Sequence, residues 1–301
     1  MDRLTAIVLG AGAGGGFPQW NCRCPICQFA WAGDPRVKPR TQASLAVSAD
    51  GRDWVLINAS PDLRTQIQAT SLLHPRDGFR DSPIRAVVLT GAEVDQVAGL
   101  LTMRERSNFT IYATAETLAV IADNPIFDVL ASDIVLRQPA ALSQAFALPN
   151  GLDAELFTVP GKVALYLEKG EPELAAESGV NVGVEITSGG SRLVYVPGAA
   201  ALNESLLARL RRADAVLFDG TLFDNDEMIR GGTGTKTGQR MGHMSLSGEN
   251  GTLQRLAGLT GRRILTHINN TNPILVDGSP ERRQVEAAGF EIAEDGMEIV
   301  L

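Results

Sequence analysis

The chain has 301 residues and a mass of 32.0 kDa, room for one large domain or two small ones with a sizeable core and no need of disulfides. Its 27 basic and 35 acidic residues leave a net charge of −8 and a pI of about 5.0, which argues against non-specific binding to nucleic acid or to anionic lipid. A hydrophobic fraction of 44% and a mean hydropathy of +0.02 exclude disordered and collagen-like chains, and no run of roughly 18 apolar residues provides a transmembrane helix.

The opening MDRLTAIVLGAGAGGGFPQWNC starts somewhat like a secretory leader. It soon turns glycine-rich and meets Pro18 and Trp20, so it reads as mature protein acting in the cytoplasm. TAIVLG (5–10) predicts the first buried strand, followed by SLAVSA (44–49) and WVLINAS (54–60). DLRTQIQATSLL (62–73) predicts a helix with Asp62 near its start. AVVLTG (86–91) is a strand, VDQVAGLLTMRER (94–106) a helix, FTIYAT (109–114) a strand and AETLAVIADN (115–124) a helix. The strands LDAELFTV (152–159), VNVGVEIT (180–187) and SRLVYVPG (191–198) follow, with the polar stretch 168–178 between the first two read as an exposed loop. ALNESLLARLRRA (201–213) is a helix, and AVLFDG (215–220), RILTHIN (263–269) and MEIVL (297–301) are strands. SPERRQVEAAG (279–289) is a helix with Ser279 as N-cap and Pro280 at its first position. Strands first in pairs and then alternating with helices predict an α/β fold of two mixed β-sheets covered by helices, in a single domain spanning 1–301.

Gly10, Gly12 and Gly15 satisfy G-x-G-x-x-G after a strand. A dinucleotide site needs a helix directly behind the glycines, and Phe17, Pro18 and Trp20 stand there instead. The glycines are therefore read as places of close backbone approach. All three cysteines, Cys22, Cys24 and Cys27, fall in one loop near 21–28. Three clustered thiolates are a poor disulfide framework and a good structural zinc site, which needs one further ligand. Only three histidines can supply it. His74 lies in a loop and reads as a surface residue; His243 sits in a glycine-flanked turn; His267 ends a buried strand. Acidic side chains also stand at or just beyond strand ends: Asp62, Glu93 and Asp95, and Asp219. Such acids often only cap the next helix, but several in one chain, together with histidines, point to a shared metal site.

TGAEVDQVAGL (90–100) resembles the T-H-x-H-x-D-H-x-x-G-L signature of the metallo-β-lactamase superfamily, with its histidine positions on Gly91, Glu93 and Gln96 and only Asp95 kept. Asp219 matches the superfamily's bridging acid, and His243 and His267 its later histidines. LGAGAGGGFPQWNCRCPIC, RTQASLAV, LINASPDLRTQI, FDGTLFDNDEMI, KTGQRMGHMS and HINNTNPIL, with DGMEIVL at the end, are similar to the pyrroloquinoline quinone (PQQ) biosynthesis protein B family along essentially the whole chain. The resemblance implies a metallo-β-lactamase-like αββα sandwich with a metal site at the edge between the sheets. It also implies an iron- and oxygen-dependent hydroxylation of a glutamate–tyrosine-derived diamino acid released from a precursor peptide.

Replacing three imidazoles weakens the case for two zinc ions and favours one iron(II) with open positions. On this reading Glu93, Asp95, Asp219 and His243 hold the iron. His267 is claimed by both sites, and we assign it to the structural zinc with Cys22, Cys24 and Cys27. Asn269, Asn270, Thr271 and Asn272 are expected to cradle the substrate's amino and carboxylate groups, with Lys236 and Arg240 as carboxylate partners. The expected partners are the small amino-acid-derived substrate, dioxygen, a second copy of the chain and other proteins of the same pathway, with neither nucleic acid nor membrane. The alternatives are a carrier or transport protein for the finished quinone, and a zinc hydrolase of the same superfamily.

Overall fold

Alternation along the strands sets the layering in the computed structural model, which describes residues 3–168 and 178–301. In β1 (Thr5–Gly10), Ala6 and Val8 join one apolar cluster while Ile7 and Leu9 join another on the opposite face. A strand buried on both faces belongs to a sheet covered on both faces, and the whole molecule is built that way.

The first sheet adds β2 (Ser44–Ser48), β3 (Trp54–Ile57), β4 (Ile84–Val88), β5 (Phe109–Ala113) and β6 (Val135–Pro139). The second holds β7 (Ala145–Ala147), β8 (Asp153–Thr158), β9 (Val182–Ser188), β10 (Ser191–Val196), β11 (Ala215–Asp219), β12 (Arg262–Thr266) and β13 (Glu291–Ile292). The C-terminal β14 (Glu298–Val300) returns to pair with β1, giving the order β14-β1-β2-β3-β4-β5-β6, opposite β13-β12-β11-β10-β9-β8-β7. Each sheet runs through three antiparallel pairings and then three parallel ones, so both are mixed, as expected. One apolar cluster lies between the sheets, from Val47 and Ile57 on one side to Tyr195 and Leu217 on the other. Two more lie outside them, under helices such as Ala115–Ala122 on the first sheet and Glu204–Leu210 on the second. The result is the α/β, metallo-β-lactamase-like αββα sandwich.

The three strands without a clear sequence signal, β6, β7 and β13, all lie toward the sheet margins. They are five, three and two residues long and carry exposed or polar positions, so neither alternation nor a buried run marks them. Two predicted helices are shorter than their sequence patterns: Leu63–Ala69 and Val94–Val97 each give way to a 3-10 turn. Helix Pro25–Trp31, inside the cysteine segment, was not expected. Ser279 does cap Pro280–Ala287, accepting from the Arg282 N–H at 3.0 Å. His74 is exposed, as expected. Most of the stretch 168–178 lies outside the described residues. Among those described, no helix is long and apolar enough to cross a membrane.

The parallel strands β4, β11 and β12 deliver the chemistry. Asp219 is the last residue of β11, and the loops that open from the C-terminal ends of β4 and β12 carry Asp95 and His267. The two sheets meet there through hydrogen bonds from Ala13 N–H to the Ile268 carbonyl and from Val182 N–H to the Thr90 carbonyl, both 2.9 Å.

Candidate metal centre

Among the described residues, two groups of side chains are placed to hold a metal ion. Asp219, His243 and His267 each offer a donor atom within 4.8 Å of the others. Asp95 joins them, its Oδ2 lying 3.0 Å from His267 Nε2. Asp95, His243 and His267 line a cavity of about 440 Å³ that also includes Glu93, Lys162, Lys236 and Asn269 in its wall, and Asp219 is buried behind them.

Asp219 ends β11 with no exposed surface. Its Oδ2 accepts from His243 Nδ1 at 2.7 Å and from the Ala199 N–H at 2.9 Å, and its Oδ1 accepts from the Thr221 N–H and hydroxyl at 3.0 and 2.6 Å. Burial works to raise its pKa, but the His243 charge and these hydrogen bonds win and hold it below the ordinary carboxylate value. His267 lies just past β12 at φ 56°, a left-handed backbone that non-glycine residues seldom adopt. That bend aims its ring back at Thr221, whose Oγ1 is 2.9 Å from His267 Nδ1. The two imidazoles stack with centroids 5.3 Å apart.

The donor directions place a proton on Nδ1 of both rings. Asp219 is the acceptor for His243 Nδ1–H. Thr221 has one proton, which goes to Asp219 Oδ1, so the Thr221 oxygen accepts from His267 Nδ1–H. Nε2 is then the atom each ring has left for a metal; with none bound, His267 Nε2–H donates to Asp95 Oδ2 at 3.0 Å, and although burial works to lower the His267 pKa, that bond and the Asp95 charge raise it. Asp95 is likewise held below the usual carboxylate range, because the His267 hydrogen bond and charge outweigh the effect of burial.

The other positions of the lactamase-like signature are turned elsewhere. Gly91 has no room for a side chain: a Cβ there would lie 2.5 Å from Gln96 Oε1 and 2.9 Å from the Val180 carbonyl oxygen. Gly91→Ala is therefore expected to cost about 1–3 kcal/mol in a denaturant titration, by overpacking; an unchanged midpoint would show that the loop yields freely. Gln96 is occupied in a capping box, accepting from the Glu93 N–H at 3.1 Å. Glu93 lines the cavity but does not belong to the metal group, which corrects its expected role as a ligand. Its carboxylate accepts from the Leu165 N–H at 3.1 Å and from Lys162 Nζ at 3.4 Å, because its place as the N-cap of Val94–Val97 turns it toward the 162–168 segment. Asp62 is held by Gln42, whose backbone and side-chain amides donate to Oδ2 at 2.9 and 3.0 Å.

Cys22, Cys24 and Cys27 form the second group. Cys24 caps helix Pro25–Trp31, and Cys27 lies fully buried inside it. Burial pushes Cys24 up to about 12 and raises Cys27 as well, so a cation is needed to hold them as thiolates. His267 does not join them, a correction to the assignment made from sequence. Its ring is committed to Thr221 and Asp95, and the residue that reaches the sulfurs is Asn270, three positions later. The Asn270 side-chain amide lies 3.2, 3.9 and 3.3 Å from the Cys22, Cys24 and Cys27 sulfurs.

That placement also removes Asn270 from the expected substrate cradle. Thr271 and Asn272 leave it too. Thr271 Oγ1 donates to Glu227 Oε1 at 2.5 Å, while Asn272 Nδ2 donates to the Gly220 carbonyl at 2.9 Å and its Oδ1 caps the Ile274 N–H. A polar run following a strand thus mostly satisfies its own loop, and only Asn269 faces the cavity. Lys236 lines the cavity. Arg240 instead pairs with Glu168 at 3.3 Å and does not form part of the wall.

Three residues escaped the sequence reading. Thr221 follows Asp219 by two positions and could have been found from the DGT spacing. Lys162 and Glu227 carry no such signal. Glu227 is a buried acid whose carboxyl burial pushes up to about 7. A raised pKa means that its contribution to stability is complete below the unfolded value and is lost as pH rises through about 7. From pH 5 to pH 8.5 the wild type is expected to lose about 2–3 kcal/mol relative to Glu227→Gln. Parallel denaturation midpoints for the two proteins would overturn this.

A model of the beta-lactamase superfamily domain matches residues 53–268. The coenzyme PQQ synthesis protein B of Methylorubrum populi is 56% identical over 299 residues, which cover 99% of this chain and 100% of that one. Its counterpart in Gluconacetobacter diazotrophicus is 54% identical, covering 98% and 99%. The crystal structure of Zn(2+)-bound PqqB from Methylobacterium extorquens superposes with a TM-score of 0.97 at 55% identity, over 99% of this chain and 100% of that one. A diphosphatase of the PhnP family, at 19% identity and a TM-score of 0.70, shares the fold.

Proposed function

This chain belongs to the coenzyme PQQ synthesis protein B family within the beta-lactamase superfamily, and on that premise we propose that it hydroxylates the glutamate–tyrosine-derived diamino acid on the way to the quinone, using iron(II) and dioxygen. The observation that carries the reading is the convergence of two imidazoles and Asp95 on one cavity wall while Gly91, Glu93 and Gln96 are committed to structural contacts. Two zinc ions would need donors from those positions. Two histidine nitrogens and one carboxylate match the donor set that suits a single non-haem iron(II) with open positions.

His243 Nε2, His267 Nε2 and a carboxylate oxygen of Asp95 would hold the metal, with Asp219 behind them. Iron(II) bound there would supply the dioxygen chemistry that side chains lack. The chain's own contribution is orientation. Asp219 keeps the proton on His243 Nδ1, and Thr221 does the same for His267, so both rings present Nε2 to the cavity. Lys236 makes no hydrogen bond or ion pair among the described residues and is free to take a substrate carboxylate. Lys162 is already shared between Glu93 and Glu168, at 3.4 and 2.8 Å, and sets the position of the cavity wall. Zinc is assigned to Cys22, Cys24 and Cys27, with the Asn270 amide, whose nitrogen and oxygen exchange by rotation, as fourth donor. The cysteine usage and the small-molecule substrate fit a cytoplasmic enzyme.

Thr221→Val keeps the shape of the side chain and removes the acceptor for His267 Nδ1–H. Its iron(II) affinity, read in an anaerobic competition titration, is expected to fall 10-fold to 100-fold. An unchanged affinity would show that Thr221 does not orient the ring. For the function itself, the chain is loaded anaerobically with iron(II), given the diamino acid and then exposed to oxygen. Oxygen uptake with a product heavier by one or more oxygen atoms is expected. Iron-loaded protein that binds the finished quinone tightly and consumes no oxygen would establish a carrier instead. Two bound zinc ions with phosphodiesterase or esterase turnover would establish a hydrolase.

A further inference from the structure

A chain of three side chains runs from the protein interior to the cavity wall, and its hydrogen-bond direction is set at the buried end when Glu227 is ionised. Glu227 is 8% exposed and follows a tight turn after β11. Its Oε2 accepts from the Phe223 N–H at 2.9 Å, which leaves Oε1 to accept from the Thr271 hydroxyl at 2.5 Å. The single Thr271 proton is spent on that bond, so its oxygen acts as an acceptor toward the cavity side. Asn269 lies there at 2.6 Å and must offer Nδ2. The alternative amide orientation would set two acceptors against each other.

The backbone of Asn269 is fixed independently. Its N–H donates to the Thr221 carbonyl at 3.0 Å, and its own carbonyl accepts from the Asn272 N–H at 2.9 Å. The remaining polar atom, Oδ1, accepts from no described residue and is not among the sealed, unpartnered atoms of the interior. Asn269 lines the cavity beside His267. We propose that Asn269 is a specificity-determining residue, whose Oδ1, aimed by Thr271 and Glu227, accepts a hydrogen bond from a protonated amine of the substrate.

This inference rests on the functional reading above, in that it takes an amino-acid-derived ligand as the occupant of the cavity. It adds a division of labour. Lys236, which has no ion pair among the described residues, is the cation for a carboxylate, and Asn269 is a fixed neutral acceptor for an ammonium. A neutral acceptor with a locked direction discriminates by the presence of a donor, so a ligand that lacks that donor and fills the cavity leaves Oδ1 unpaired.

The test measures binding rather than turnover. Calorimetric titrations use the full-length chain loaded with iron(II) under argon, at pH 8, where Glu227 is ionised. The ligands are the diamino acid and its two mono-deamino analogues, in each of which one α-amine is replaced by hydrogen. The wild type is expected to bind one analogue about 10-fold to 100-fold more weakly than the diamino acid. Asn269→Leu is expected to bring that gap within about twofold, Thr271→Val to narrow it, and Thr271→Ser to retain it. A purely structural role for the chain would weaken all three ligands together and leave the gap intact. A wild type that binds all three equally, or an Asn269→Leu variant that keeps the full gap, overturns the inference and leaves the functional reading standing. If none of the three binds the wild type, both fall.

Discussion

Cys24→Ser is expected to cost the protein its zinc and most of its folded yield, with metal content falling by one zinc per chain. Cys24 caps helix Pro25–Trp31, and the Cys27 N–H donates to its sulfur at 3.4 Å, so one atom holds both the helix end and the metal loop. The segment packs against the second sheet's outer cluster through Cys24, Cys27 and Phe17. Without a cation, burial keeps these thiols protonated, and a protonated thiol contributes only as a small apolar group. Structural zinc in small sites contributes apparent free energies of roughly 10 kcal/mol, comparable to the whole stability of a domain. A strong chelator should therefore lower the melting temperature of the wild type and leave Cys24→Ser little altered. A serine variant with full zinc content and an unshifted melting curve would remove the site.

Much of this architecture could be read from the chain because central strands carry an unmistakable signature. WVLI and AVLFD are buried along their whole length and bounded by turn residues, and both sit in the interior of a sheet. The marginal strands VLRQP and AFA left no such mark, since one face or one edge of each meets solvent. The metal centre was legible as a set of residue types and only partly as a set of partners. Asp95, Asp219 and His243 were placed together by sequence, and the structure brings them together. Glu93 and His267 have other partners than the spacing led us to expect, for one reason. A side chain's direction at a strand end depends on backbone angles and loop contacts that spacing does not encode. The left-handed turn at His267 and the capping box at Glu93 are such local facts. Asn270 was unreadable because the fourth partner of the cysteines comes from almost 250 positions away, and it was sought among imidazoles.

The sharpest separation of the two centres comes from two residues three positions apart. His267→Ala is expected to lower oxygen-dependent turnover by at least about a thousandfold, since it removes one of only two imidazoles at the cavity. Zinc content should stay at one per chain, and folding should survive, because the ring contacts Thr221 and Asp95 rather than the core. Asn270→Ala is expected to do the reverse. Turnover per folded, iron-loaded molecule should stay within a few-fold of wild type, while zinc affinity falls and the chain becomes easier to unfold in chelator. Asp95→Ala belongs with His267→Ala, losing turnover and iron with little change in zinc. The opposition follows from geometry. The backbone reverses at His267, and Asn269 faces the cavity beside the imidazoles while Asn270 faces the sulfurs. If His267→Ala released zinc and spared turnover, the histidine would belong to the cysteines after all. Only Asp95 and His243 would then be left as donors, too few for the proposed chemistry.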